Sequence, residues 1–244
     1  MRSMVEGHAP QARPLDVILL PTVPLHHTPC GPPPLAGEDR SLDFPEDERH
    51  EPRVTTKAAL RAKLRAARRE HVAALDPATR ALILHRPPAP LLELVPEGAT
   101  IGLYHATAHE APAAGYARFF HERGHTLALP RFAHRGAAME FAVFADPYDE
   151  GDCEVGPFGL MQPDAAAPAV TPDLLFVPLL GFTEDGARLG QGGGHYDRWL
   201  ASHPQVPAIG LAWDIQRVAF VPREAHDHPL RAVVTPTRLY GPFS

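Results

Sequence analysis
The chain has little cysteine: Cys30 and Cys153 are the only two in 244 residues. Two cysteines cannot build the framework of a disulfide-stapled secreted scaffold, so a reduced, cytoplasmic protein is expected. Long apolar runs are also missing. The nearest, Val17 to Leu20, is cut by Pro21 and Pro24, far short of the roughly 20 residues a membrane helix needs. No basic region precedes it and no small-residue cleavage site follows, so neither a membrane span nor a secretory leader is expected. Basic excess is absent: the net charge is -6 and the pI about 6.2, which argues against a general nucleic-acid binder. There is no Gly-x-Ser-x-Gly elbow. Cys153 stands between Asp152 and Glu154, neighbours that disfavour a reactive thiolate.

Proline, by contrast, is concentrated. Residues 1–53 hold 10 of the 29 prolines, including Pro32-Pro33-Pro34, and nine acidic against five basic residues. Such a stretch buries too little apolar surface to offset its conformational entropy, so a disordered extension is expected over 1–53. An interaction tail, or a translation start near Val54, are the alternatives. From 54 to 244 the pattern is that of one folded domain. Thr55 or Thr56 can cap a helix carrying Leu60, Leu64, Ala67 and His71, and Asp76-Pro77 opens another with Leu82, Ile83 and Leu84. Pro112 to Arg123 reads as helix, stopped by Gly124. Short apolar strands are expected at Thr100–Tyr104, Thr126–Leu129, Glu140–Phe144, Leu174–Val177, Ala208–Trp213 and Ala232–Thr235. Strands alternating with helices predict a three-layer α/β/α domain with a mostly parallel sheet.

The richest segment is GFTEDGARLGQGGGHYDRWL, from Gly181 to Leu200, which follows the apolar run Leu174 to Leu180. A glycine-dense loop before a helix start exposes backbone N–H groups, and the helix dipole adds positive character, so the place suits a phosphate. Arg188 and Arg198 bracket it with fixed cations, and Asp197 is placed to hold Mg2+. It is not a P-loop, because no lysine follows these glycines. Nor is it the Gly-x-Gly-x-x-Gly dinucleotide fingerprint, whose last position here is His195. One decoy lies elsewhere: His121-Glu122-Arg123-Gly124-His125 spells the zinc-protease string. Gly124 is expected to end the helix before His125 and so keep the two histidines off one face.

The string Gly186, Arg188, Leu189, Gly190, Gly192, Gly193, Gly194, Tyr196, Asp197, Arg198 resembles the signature of the 5-formyltetrahydrofolate cyclo-ligases, also called methenyltetrahydrofolate synthetases. Many members have a second tyrosine where this chain has His195. The resemblance covers roughly Thr55 to the C-terminus. It implies a fold like those of sugar-phosphate isomerases and CoA-transferases, and ATP-dependent closure of 5-formyltetrahydrofolate to 5,10-methenyltetrahydrofolate.

The same resemblance assigns roles. Lys57 and Arg61, one turn apart, would reach the ATP phosphates together with Arg188, Arg198 and the loop Leu189, Gly190, Gln191, Gly192, Gly193, Gly194, His195 and Tyr196. Glu110 would accept from the pterin edge, with His105 lining the pocket and Tyr196 beside the substrate. The family usually has an acidic-plus-threonine pattern after this Glu, whereas here Ala111 and Pro112 follow. Arg131, ending the ALPRF strand, would be an anion ligand. Asp197 and Asp227 would hold Mg2+, with Asp214 as a competitor for the second place. Arg188, Tyr196 and Asp197 would carry the catalysis. The expected partners are ATP and 5-formyltetrahydrofolate, with no nucleic acid and no membrane, acting on a monomer. A repurposed paralogue that keeps the nucleotide loop but binds another ligand is the alternative.

Overall fold
Runs such as Leu174-Leu175-Phe176-Val177 have no polar face to turn to water, so they need cover on both sides, as strands of a parallel sheet have. A computed structural model of the chain describes residues 56–149, 151–224 and 226–243. The expected disorder of residues 1–53 lies outside them. The runs become strands β1 (Thr100–Gly102), β2 (Thr126–Arg131), β6 (Leu174–Pro178), β9 (Ala208–Leu211) and β10 (Ala232–Val234). They pair in parallel in the order β10-β9-β6-β1-β2. Antiparallel β11 (Leu239–Tyr240) and β3 (Glu140–Val143) complete a seven-stranded sheet.

Alternation along each strand sends side chains to two cores. Leu174 and Phe176 join Ile101, Leu127, Ile209 and Trp213 on one face. Leu175 and Val177 join Ala128, Phe141, Trp199 and Val233 on the other. Helix α4 (Ala114–His121) packs on the first face through Tyr116, Ala117, Phe119 and Phe120, with α3 (Ala89–Leu92) adding Leu91. Helix α5 (His195–Ser202) covers the second through Trp199 and Leu200. The three-layer α/β/α expectation is met.

Helix α1 (Lys57–Ala74) starts at Thr56, whose hydroxyl accepts from the Ala59 N–H at 3.2 Å. Its buried stripe is Leu60, Leu64, Arg68 and Val72. The sequence pattern expected Ala67 and His71 in the last two places, but strict four-residue spacing carries the stripe one position further and draws Arg68 inside. Helix α2 (Pro77–Leu82) is capped by Asp76 as expected. It stops before Ile83, and Leu84 takes a left-handed φ of 54°. Two hairpins were not foreseen, β4 (Cys153–Val155) with β5 (Met161–Pro163) and β7 (Gly181–Phe182) with β8 (Arg188–Leu189).

In chain order the five parallel strands run outward from β1 in two directions, β2 to one side and β6, β9 and β10 to the other. Ligands of open α/β sheets bind where growth reverses, outside the carboxyl ends of the two strands concerned. Here that place lies beyond Gly102 and Pro178, between β1 and β6.

Candidate functional site
A cavity of about 820 Å³ opens at this switch point. Tyr104 and His105 leave β1 into its wall, Pro178 ends β6 there, and Pro130 and Phe132 reach it from β2. Lys57 and Arg61 enter from the first turns of α1. The β4–β5 hairpin contributes Phe158, Met161 and Gln162, and the loop after β8 contributes Gly190 to Gly194. His195, Tyr196 and Asp197 follow from the first turn of α5, and Glu224, His226 and Asp227 close the far side.

The glycine loop is built as its sequence suggests. Gly192 has φ 111° and Gly194 φ 64°, conformations that a side chain would strain. Gly194 is the N-cap of α5 and offers no side-chain acceptor, so the first-turn amides of that helix are left for a ligand. Arg61 Nε donates to the Gly190 carbonyl at 3.0 Å and Arg65 Nη2 to the Gln191 carbonyl at 2.7 Å. The loop is thus held from behind by α1. Arg65 has the look of a solvated cation in sequence and gives no sign there of this task.

Two cations of the wall, Arg188 and Lys57, are matched by carboxylates. Arg188, 7% exposed, donates to Asp197 Oδ1. Lys57 Nζ lies 2.7 Å from Asp227 Oδ2 and 2.9 Å from Glu224 Oε2. Burial pushes the Lys57 ammonium down, but its hydrogen bonds to Asp227 and Glu224 and their charges outweigh that and hold it above its usual value. Asp227 is its mirror. Burial raises it, yet the Lys57 hydrogen bond, the Glu224 N–H and the nearby charges bring it net below the usual carboxylate range. Both therefore stay ionised at neutral pH.

Glu110 is 7% exposed. Its Oε2 accepts from the Thr107 N–H at 2.9 Å, its Oε1 accepts from Gln191 Nε2 at 3.2 Å, and Arg68 Nη1 stands 3.8 Å from Oε1. A buried carboxylate requires such a counter-charge, which is why Arg68 belongs in the buried stripe. Among the described residues Arg68 Nε has no hydrogen-bond partner. The loop that carries Glu110 is pinned by Tyr104, whose hydroxyl donates to the Ala111 carbonyl at 2.6 Å, and by Trp213 Nε1 donating to His109 O at 2.9 Å. Burial, reinforced by the Glu110 charge and only partly offset by Arg188, pushes the Tyr196 phenol well up, so it remains a neutral donor. Burial and then Arg198 lower His195, whose ring meets Phe132 and Phe158 at centroid distances of 4.9 and 5.5 Å.

Most sequence-expected residues converge on this cavity: Lys57, Arg61, His105, Glu110, Arg188, Leu189, Gly190 to Gly194, His195, Tyr196, Asp197 and Asp227. Three do not. Arg131 has the opposite strand parity from Pro130 and Phe132, so its guanidinium turns away to Glu140 at 2.9 Å and to the Asp164 and Ala167 carbonyls. Arg198 is exposed, lies outside the cavity wall, and donates to His195 Nδ1 at 3.1 Å. Asp214 accepts from the Thr235 and Thr237 hydroxyls instead of facing the site. The zinc-protease string is broken as expected. Helix α4 ends at His121, Gly124 has φ 79°, and His125 Nδ1 meets the Ala99 carbonyl at 3.1 Å.

The donor set fits Mg2+. Asp197 and Asp227 both line the cavity, and carboxylate oxygens are the ligands a hard dication takes. Glu224, His226 and Asp227 bring ligand atoms within 4.8 Å of one another, a cluster whose Glu224 has no signal of its own in the sequence. Arg188 occupies one oxygen of Asp197 and Lys57 one of Asp227, and a carboxylate has two. No helix among the described residues is long and apolar enough to cross a membrane.

Comparison with known proteins matches the same span. The sequence profile of the 5-formyltetrahydrofolate cyclo-ligase family matches residues 53–236. A 5-formyltetrahydrofolate cyclo-ligase of Escherichia coli K12 is 47% identical over 70 residues, 28% of this chain and 38% of that protein. One of Mycolicibacterium smegmatis is 34% identical over 124 residues, 48% of this chain and 63% of that protein. The chain thus spans less than two thirds of the length of these relatives. The NMR structure of Aquifex aeolicus 5,10-methenyltetrahydrofolate synthetase superposes with a TM-score of 0.62 at 25% identity, covering 77% of this chain and 93% of that one. The synthetase structure from Mycoplasma pneumoniae, at 22% identity and a TM-score of 0.53, shares the fold.

Proposed function
The chain belongs to the 5-formyltetrahydrofolate cyclo-ligase family, and from that premise we propose that it closes 5-formyltetrahydrofolate to 5,10-methenyltetrahydrofolate at the expense of ATP, releasing ADP and phosphate. The observation that carries this reading is the meeting of the glycine loop and Glu110 in one cavity, an anion cradle facing a buried carboxylate.

The formyl group on N5 is an amide, so its carbon is a poor electrophile and its oxygen a poor leaving group. Attack of the formyl oxygen on the γ-phosphorus breaks the bond to ADP and turns that oxygen into a phosphate ester. N10 then attacks the activated carbon and loses its proton to solvent. Cleavage of the C–O bond expels phosphate and leaves the methenyl bridge. No covalent enzyme intermediate is needed. The protein has to align two substrates and neutralise the transferring phosphoryl group.

In this reading the loop amides from Leu189 to His195, with Lys57, Arg61 and Arg188, take the phosphates. Lys57 exchanges its carboxylate partners for phosphate oxygens as the nucleotide enters. Mg2+, when bound, neutralises charge on those oxygens, and Asp197 and Asp227 are the carboxylates that would hold it. Glu110 accepts from the adjacent N–H donors of the pterin edge, a charge-assisted pair of bonds. Tyr196, kept protonated, donates from between the two substrates, and His105 lines the pterin side. Arg131 and Arg198 receive no ligand role.

Mixing the protein with Mg-ATP and 5-formyltetrahydrofolate is expected to produce methenyltetrahydrofolate absorbance. Arg188→Ala and Asp197→Asn should each lower turnover by on the order of a hundredfold, and near-normal turnover in both would remove the assigned roles. Because Ala111-Pro112 follow Glu110, a repurposed paralogue is the competing reading. It predicts nucleotide binding without any absorbance change.

A further inference from the structure
Gln191 is the one residue between Gly190 and Gly192 that has a side chain, and that side chain crosses the cavity wall. Its Nε2 donates to Glu110 Oε1 at 3.2 Å, its Oε1 accepts from Arg65 Nε at 3.3 Å, and its carbonyl accepts from Arg65 Nη2 at 2.7 Å. The residue is exposed, on a backbone with Gly192 at φ 111° and Gly194 at φ 64°. From these contacts we propose that Gln191 is a positioning residue that couples occupation of the glycine loop to the orientation of Glu110, so that the nucleotide and the folate bind with positive cooperativity.

This inference rests on the functional reading above, which gives the loop to phosphates and Glu110 to the pterin. The physical step is short. Before a phosphate arrives, the polar contacts on residues 190 and 191 among the described residues are those with Arg61, Arg65 and Glu110. Arg61 and Arg65 anchor the two carbonyls, and between those anchors the glycine neighbours still leave the backbone conformational choice. Phosphate oxygens on the loop amides would narrow that choice and fix the Gln191 backbone. A fixed backbone holds the amide of Gln191 on Glu110 Oε1, while the Thr107 N–H holds Oε2. The second ligand then finds the carboxylate already oriented and spends less of its binding energy ordering it. By reciprocity the folate must favour the nucleotide by the same factor.

The test is calorimetric, on the full chain. The dissociation constant of 5-formyltetrahydrofolate is measured alone and with a saturating non-hydrolysable ATP analogue and Mg2+. In the unsubstituted protein the analogue is expected to tighten folate binding by about 5-fold or more, the lower end of ordinary allosteric coupling. Gln191→Ala removes the donor, and Gln191→Glu keeps the length but cannot donate. Both should bring the ratio to within about twofold of one, with Arg65, Arg68 and Thr107 unaltered. A ratio of one in the unsubstituted protein, or an unchanged ratio in either variant, would overturn the coupling while leaving the functional reading intact. Failure of the unsubstituted protein to bind the two ligands would overturn both.

Discussion
The Arg188 side chain is 3% exposed and that of its partner Asp197 21%, so losing one end of this ion pair does not cost what losing the other does. Asp197→Asn leaves a buried guanidinium without its counter-charge, a situation that costs about 3–5 kcal/mol. Arg188→Ala leaves a carboxylate that can be hydrated from the cavity, so its cost should be smaller. Urea denaturation is expected to rank Asp197→Asn below Arg188→Ala in stability although both lose turnover. The reverse ranking would show that the arginine's contribution is packing and not charge. At this scale the glycine loop was legible through the whole string from Gly186 to Arg198, since its glycines alone would equally suit a surface turn. Arg65, Arg68 and Gln191 were not. Their roles come from partners as far away in sequence as Glu110 and the 190–191 carbonyls, and no local pattern records those partners. Arg131 misled for a related reason. Its place at a strand end suggested the cleft, but a one-residue difference in parity sends it to the other side.

Among the glycines of the described residues, Gly115 in α4 stands nearest to neighbouring backbone. A Cβ on Gly115 would lie 2.7 Å from the Leu84 carbonyl oxygen and 2.7 Å from His85 Cα, both backbone atoms that cannot swing aside. Leu84 is itself held at φ 54°, so this connection has little freedom to retreat. Gly115→Ala should therefore destabilise by about 1–3 kcal/mol through overpacking, more than the ~0.5–1 kcal/mol that alanine gains in a helix. Thermal melting checks it, and a raised midpoint would mean that the connection can shift. The parallel strands were readable because burial on both faces leaves an uninterrupted apolar run. Strands β4, β5, β7, β8 and β11 are two or three residues long. Pieces that short carry no periodicity. Strands β1 and β10 are as short but are marked by the apolar residues around them, whereas the pairing of those five is decided by the turns and the surfaces they cover.

For the molecule as a whole, binding to the folded form alone must raise its stability. Mg-ATP at about 100 times its dissociation constant contributes about 2.7 kcal/mol, which in a domain of this size is a rise of roughly 5–10 °C in melting temperature. No shift with Mg-ATP would contradict the nucleotide reading. The α/β architecture was legible from strand and helix alternation, whereas the strand order that creates the switch point was not. The seam under the cavity pairs Ile101 with Leu174, joining two stretches that synthesis delivers far apart in time. Its rim runs from Thr56 to Asp227, so a fragment that stops short of either limit would carry half a vessel. Two such halves, expressed separately, could regain a working crevice only by docking along that seam.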